Sequence, residues 1–218
     1  MQTTLSYLKS RLELLPVLSH GLRRLRKLFF PNEHDRWQIG SDMFAAFLLQ
    51  TTRSVAQPIF VKVGANDGIT GDPCGRIFLD NKNWSGVLIE PVPYLARRLA
   101  ENYCDGNRFV VEQLAIGRTR GSSQFYCVDV CAKQYLPDLP SNYDMLGSFN
   151  KHHVEKHLDG ILAPFILAVD TEVQTLADVL ERNGIDRIDV LQIDTEGFNW
   201  DVLHSLDFSK VRPMAICI

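Results

Sequence analysis

An α/β fold on a mainly parallel sheet, with helices on both faces, is the class this chain predicts, and three observations carry that prediction. The first is the stretch 59–73, I-F-V-K-V-G-A-N-D-G-I-T-G-D-P, whose β-branched and aromatic run breaks on Gly64, as a buried strand does when it enters a tight turn. The second is the alternation that follows, in which apolar runs over 84–91, 108–114 and 188–193 are separated by stretches of helical character. The third is that the last of these runs ends in D-T-E-G, which puts carboxylates at the same sheet edge as the Gly64 turn. In open α/β sheets ligands bind in the crevice beyond the carboxyl ends of the strands. That edge is where a site belongs.

At 218 residues, with 45% hydrophobic and 22% charged residues, the chain suits one α/β domain with a short appendage. A net charge of −3 gives no electrostatic case for a nucleic-acid partner. The charge is uneven: residues 1–30 carry six Lys/Arg against one Glu, and the remainder 17 against 25 acidic residues. The five cysteines, Cys74, Cys104, Cys127, Cys131 and Cys217, form no C-x-x-C and read as small buried thiols in a reducing compartment. No apolar run approaches the ~20 residues of a membrane span, and the N-terminus lacks the apolar core of a signal peptide. A cytoplasmic protein is the expectation.

Taken in order, residues 1–30 read as two helical pieces separated by Pro16. Leu5, Leu8, Leu12 and Leu15 form one apolar stripe; Leu22, Leu25, Leu28 and Phe29 form another, opposite Arg23, Arg24, Arg26 and Lys27. A basic amphipathic helix suits peripheral contact with an anionic membrane, or packing on the domain or a partner subunit; the modest polar face favours packing. Ser41 and Asp42 start a helix over 43–50 that turns Phe44, Phe47 and Leu48 to the sheet. After the strand ending at Gly64, a helix is expected around 76–81, a second strand over 84–91, and a helix over 93–102 with Pro93 in its first turn. A third strand over 108–114 and an extended segment over 121–130 follow. Residues 131–150, with prolines, Asn, Asp and Gly, read as a long loop of the kind that is usually functional or mobile. A short helix over 151–158 and an extended stretch over 166–173 lead to a helix capped by Thr175 and stopped by Gly184. The strand 188–193, a helix over 200–206 and a strand beginning at Met214 complete the chain.

Glu90 ends the second strand, 26 residues after Gly64, where an acidic residue of a nucleoside-binding βαβ unit accepts from ribose hydroxyls. The turn reads G-A-N-D-G rather than G-x-G-x-x-G, which disfavours NAD or FAD. Asp194 and Glu196 can orient a substrate, hold a cation or take a hydroxyl proton; turn formation and helix capping are their ordinary alternatives. His152, His153 and His157 cluster in K-H-H-V-E-K-H. Positions 153 and 157 have metal-like spacing, but the stretch is not H-E-x-x-H, so no metal site is assigned and a cleft-lining or hydrogen-bonding role is expected. In the 131–150 loop Tyr135, Tyr143 and Phe149 are candidates for the face of an acceptor ring, or anchors of the loop to the core.

From about Pro58 onward these stretches together resemble the FkbM family of S-adenosylmethionine-dependent methyltransferases. The resemblance rests on V-K-V-G-A-N-D-G-I-T-G-D-P, V-L-I-E-P-V-P, Q-L-A-I-G, G-S-F-N-K-H-H-V-E-K-H, V-Q-T-L-A-D-V-L and, above all, I-D-V-L-Q-I-D-T-E-G-F-N-W-D-V-L. It implies the Rossmann-like class I methyltransferase fold over 58–218, with 1–57 as an N-terminal helical extension. It implies S-adenosyl-L-methionine as cofactor, its methionine part bordered by Gly64, Ala65, Asn66, Asp67 and Gly68, its ribose held by Glu90, and its adenine near Leu114, Ala115 and Ile116. Asp194 and Glu196 then face the transferred methyl, with Asp194, Glu196, His153 and His157 as the catalytic candidates. The implied reaction is O-methylation of a sugar, glycan or natural-product hydroxyl, with nitrogen methylation left open. A non-catalytic cofactor-binding or scaffold protein is the alternative, and a nucleotide-dependent oxidoreductase a weaker one. The family fold adds an antiparallel pair after the fifth strand, whereas this sequence stops inside an apolar run at Ile218; a C-terminally incomplete domain, or an edge covered by a partner, is the expectation.

Overall fold

The computed structural model describes residues 33–72, 75–104, 106 and 108–218; the two helical pieces expected within 1–30 lie outside them. Helix α1, Glu33–Thr51, crosses the division between two compact units, Met1–Ala46 and Phe47–Ile218. Both sheets belong to the second unit. Leu48 is fully buried there, but Phe47 is 57% exposed and Phe44 only half-buried, which corrects the expectation that all three are buried. Successive helical positions point about 100° apart, so Leu48 can be buried while its neighbour Phe47 faces solvent.

The main sheet has five strands in the order β3-β2-β1-β8-β9, and every pairing in it is parallel. Its members are β1, Ile59–Val63; β2, Ser85–Ile89; β3, Phe109–Glu112; β8, Val190–Ile193; and β9, Ala215–Cys217. Central strands β1 and β8 are buried on both faces, which is why they read as unbroken apolar runs rather than alternating ones. One face packs Val61, Val63, Ile89 and Leu191 against Leu176, Val179 and Leu180 of α6, Leu176–Arg182, and Val202 of α7, Asn199–His204. On the other face Phe60 stacks on Phe78 of α2, Gly75–Asp80, with ring centroids 3.8 Å apart, and Trp84 meets Phe78 edge-on. Helix α3, Pro93–Asn102, starts with its proline in the first turn, as the sequence predicts, and buries Leu95, Ala96 and Leu99. This is the parallel sheet with helices on both faces that the alternation of strands and helices implies, in the Rossmann-like arrangement that the family resemblance implies.

A second sheet was not legible as such. It has four strands in the order β4-β7-β5-β6: β4, Ala115–Ile116; β5, Gly121–Val128; β6, Gly147–Ser148; and β7, Ile166–Gln174. Strands β5 and β7 pair antiparallel over eight residues, from Gly121 opposite Val173 to Val128 opposite Ile166. The stretch 131–150 is more structured than the expected loop, with helix α4, Ala132–Tyr135, a 3₁₀ turn at Tyr143–Met145, and strand β6. Val128, Ala132, Tyr143, Val154 and Leu162 form its own small core. Helix α5, Lys151–Glu155, closes sooner than expected, and His157 opens a separate 3₁₀ turn. Phe125 and Cys127 of the second sheet pack on Val92 and Leu95, which joins it to α3. Of the four described cysteines Cys127 is fully buried and Cys104 is exposed, so the expectation of small buried thiols holds only in part. Among the described residues no helix is long and apolar enough to cross a membrane.

Candidate active site

The site forms where β1 and β8 end side by side. Gly64 follows β1 with φ of 77°, and a Cβ added there would stand 1.8 Å from the Asp194 carbonyl oxygen. Only glycine allows both that conformation and that approach. The amides of Gly64 and Ala65 both donate to the Ile89 carbonyl, at 3.0 Å each, which ties the turn to the end of β2. Asn66 then takes a positive φ of 49°, a conformation that asparagine tolerates better than most side chains. Its backbone amide thereby points at Glu90.

Glu90 is 3% exposed and is held by backbone alone on two sides: Oε2 accepts from the Asn66 amide at 2.8 Å and Oε1 from the Val92 amide at 3.0 Å. Burial raises its pKa to about 7, against the opposing pull of those two donors and of Lys62. Each carboxylate oxygen keeps a second lone pair, and the residue lines the cleft at this sheet edge. Two acceptors side by side in a cleft suit a vicinal diol. Beneath the turn Lys62, 4% exposed, places Nζ 2.5 Å from Oδ2 of Asp72.

Three loop residues expected to border a ligand shape the loop and do not line the cleft. Ala65 is buried at 1% exposure. The Asp67 carboxylate accepts from the Ile69 amide, the Thr70 amide and the Thr70 hydroxyl, at 3.0, 2.8 and 2.7 Å. Burial works to raise its pKa, and these bonds outweigh it and lower the value. A Cβ on Gly68 would strike Tyr103 and Leu99, so its missing side chain serves the packing of α3. Gly64, Asn66, Glu90, Leu114, Ala115, Ile116, Asp194 and Glu196 all line the cleft, which encloses about 610 Å³ counting its open mouth.

On the far wall, β8 runs into Asp194-Thr195-Glu196-Gly197. Thr195 anchors this turn, its amide and hydroxyl both donating to the Asn199 side-chain oxygen at 2.9 and 2.7 Å. Asp194 is an exposed residue, yet desolvation by the surrounding protein raises its pKa; Lys62 opposes the rise, and Glu196 and Asp72 add to it. Glu196 has a positive φ of 39°, and its Oε2 lies 2.9 Å from Nε2 of His153. Nε2 of His157 lies 3.4 Å from the same His153 nitrogen. The sequence reading placed these histidines on one face of a helix but could not find Glu196 as their partner, because it arrives from another loop 43 residues away.

Phe149 lines the cleft and stands edge-on to Phe125 and Phe198, at centroid separations of 5.2 and 5.0 Å. Of the loop aromatics it alone reaches the site. Tyr143 is buried and donates to the Val130 carbonyl at 2.7 Å, and Tyr135, 70% exposed, leans on Phe165. Phe125, Met145, Thr195 and Phe198 also line the cleft and were not singled out from the sequence. Around Phe125 and Met145 the chain carries no local signal for it, since their placement depends on how the second sheet folds back, whereas Thr195 and Phe198 sit in the turn after β8 beside Asp194 and Glu196.

Sheet order, the glycine turn after β1 and a carboxylate just after β2 define a Rossmann-like α/β protein with a cleft at the carboxyl edge of its parallel sheet. The methyltransferase FkbM domain matches residues 62–218, and the chain belongs to that family. No curated protein and no solved structure matches it.

Proposed function

We propose that the protein transfers the methyl group of S-adenosylmethionine to a hydroxyl of a sugar, glycan or other small-molecule acceptor. The observation that carries the cofactor assignment is the Glu90 carboxylate, fixed by two backbone amides and presenting one free lone pair on each oxygen to the cleft. The 2′- and 3′-hydroxyls of a ribose supply two donors to it. Gly64 lets the ends of β1 and β8 come together, and the cleft wall they form is where the polar end of the cofactor lies; Leu114, Ala115 and Ile116 give the adenine a buried apolar wall.

When bound, the cofactor supplies a methyl already activated on a sulfonium. What this chain must do is hold the acceptor oxygen in line and receive its proton. Asp194 stands at the cleft wall on the β8 side and is the group assigned to take that proton. The His153–Glu196 pair lies beside it. The Phe149 and Phe198 rings offer faces for the apolar side of a sugar or polyketide ring.

Calorimetric titration with S-adenosylmethionine tests the assignment. The wild type should bind in the micromolar range, and Glu90→Ala should weaken binding about tenfold or more, equivalent to about 1.4 kcal/mol. Absence of binding by folded wild type, or an unchanged affinity in the variant, overturns the cofactor reading.

A further inference from the structure

We propose that His153, His157 and Glu196 form a site for one divalent first-row transition-metal ion at the rim of the cleft. One ligand atom from each of these residues lies within 4.8 Å of the other two. The closest pairs are His153 Nε2 to Glu196 Oε2 at 2.9 Å and His153 Nε2 to His157 Nε2 at 3.4 Å. Ligands bound at about 2.0–2.2 Å stand roughly 2.9–3.4 Å apart when they are neighbours around one ion. Two of the three pairs are already at that spacing, and the third lies within 4.8 Å.

Atom accounting points the same way. A neutral imidazole nitrogen carries either one proton or one lone pair. If Nε2 of His153 carries the proton, it serves Glu196 and leaves His157 with a share of the same hydrogen. If it does not, a lone pair faces a carboxylate oxygen. One cation satisfies all three lone pairs at once, and each ring then keeps its Nδ1 proton. The cluster is built from two separate parts of the chain, α5 with its following turn and the loop after β8. All three side chains are only partly buried, so an ion has access.

Two imidazoles with one carboxylate suit zinc, manganese, iron or cobalt, whereas calcium and magnesium favour oxygen ligands. Three protein ligands leave coordination positions open, and Glu196 is also a wall of the cleft. An acceptor hydroxyl, or a pair of adjacent hydroxyls, can therefore fill those positions. This role rests on the methyl-transfer reading; the site itself does not.

The test uses the full chain, stripped of metal by a chelator and titrated without S-adenosylmethionine, by calorimetry with zinc and by visible absorption with cobalt. One ion per chain should bind. His157→Ala and Glu196→Gln, each confirmed folded by circular dichroism, should weaken it at least about 10-fold to 100-fold. His152→Ala should leave it unchanged, because His152 is exposed on the same helix and its nearest charged partner is Glu155. No binding by folded wild type, or binding that survives both ligand variants, overturns the site. A parallel S-adenosylmethionine titration separates the two readings. Cofactor binding without metal binding sinks only the metal site, and metal binding without cofactor binding leaves the site standing and removes its assigned role.

Discussion

Glu90 gives ligand affinity a pH dependence that follows from its surroundings. In the empty protein burial holds its pKa at about 7. Ribose hydroxyls donate to the ionised form and so favour it. Binding must then expel a proton wherever the empty site is protonated, which is below about pH 7. Affinity for S-adenosylmethionine should rise with pH up to about 7 and level off above it. Calorimetry in buffers of different ionisation enthalpy should show proton release at about pH 6, little at about pH 8, and none in Glu90→Ala. The same raised pKa works against the empty fold: the folded chain holds more protons than the unfolded one between the ordinary 4.5 and about 7, so the contribution to stability falls as pH rises through that window. Asp194→Asn is the companion test. It keeps size and polarity, so cofactor affinity should persist while turnover drops about 100-fold or more; unchanged turnover removes Asp194 from the proton transfer. Residues at strand ends, Gly64, Glu90 and Asp194, were legible because the end of an apolar run marks the sheet edge. Asp67 and Gly68, expected at the same edge, shape the loop and do not line the cleft, since a turn-forming Asp and a ligand-facing Asp look alike until the turn's dihedral angles are known.

At the scale of elements the site depends on how closely β1 and β8 converge. A methyl group at position 64 would stand 1.8 Å from a backbone oxygen in a conformation with φ of 77°. Gly64→Ala should cost at least about 2 kcal/mol of unfolding free energy and abolish ligand binding, as read by denaturant titration and calorimetry. Helix α6 starts on a reciprocal capping box: the Asp178 amide donates to the Thr175 hydroxyl at 3.1 Å and the Thr175 amide to the Asp178 carboxylate at 3.3 Å. Thr175→Ala should cost about 1 kcal/mol and leave cofactor affinity alone. This helix was readable from its cap, its apolar spacing and the Gly184 stop. The β5–β7 pair was not. Only the last half of β5 is covered, so G-S-S-Q-F-Y-C-V shows no sustained alternation, and the pairing partner lies dozens of residues away, where local pattern carries no register.

For the molecule as a whole, the cleft is a joint between two sheets. Glu90 and Asp194 follow strands of the first, while Phe125, Gly147 and Phe149 come from the second or its margin. A ligand seated there touches both and therefore links their stabilities. At a concentration 100 times its Kd it should add about 2.7 kcal/mol to unfolding. Hydrogen exchange reads where that energy goes. If the cofactor and acceptor span the joint, amides of 147–149 should be slowed together with those of 64–66 and 194–196, because opening either side then requires releasing the ligand. Protection of 64–66, 115–116 and 194–196 by cofactor alone, extended to 147–149 only when an acceptor is added, would assign the first-sheet strand ends and β4 to the cofactor and the β6 end of the second sheet to the acceptor. Protection that never reaches 147–149 with any hydroxyl acceptor would remove the Phe149 wall from the site, and the aromatic argument for a sugar or polyketide ring would go with it.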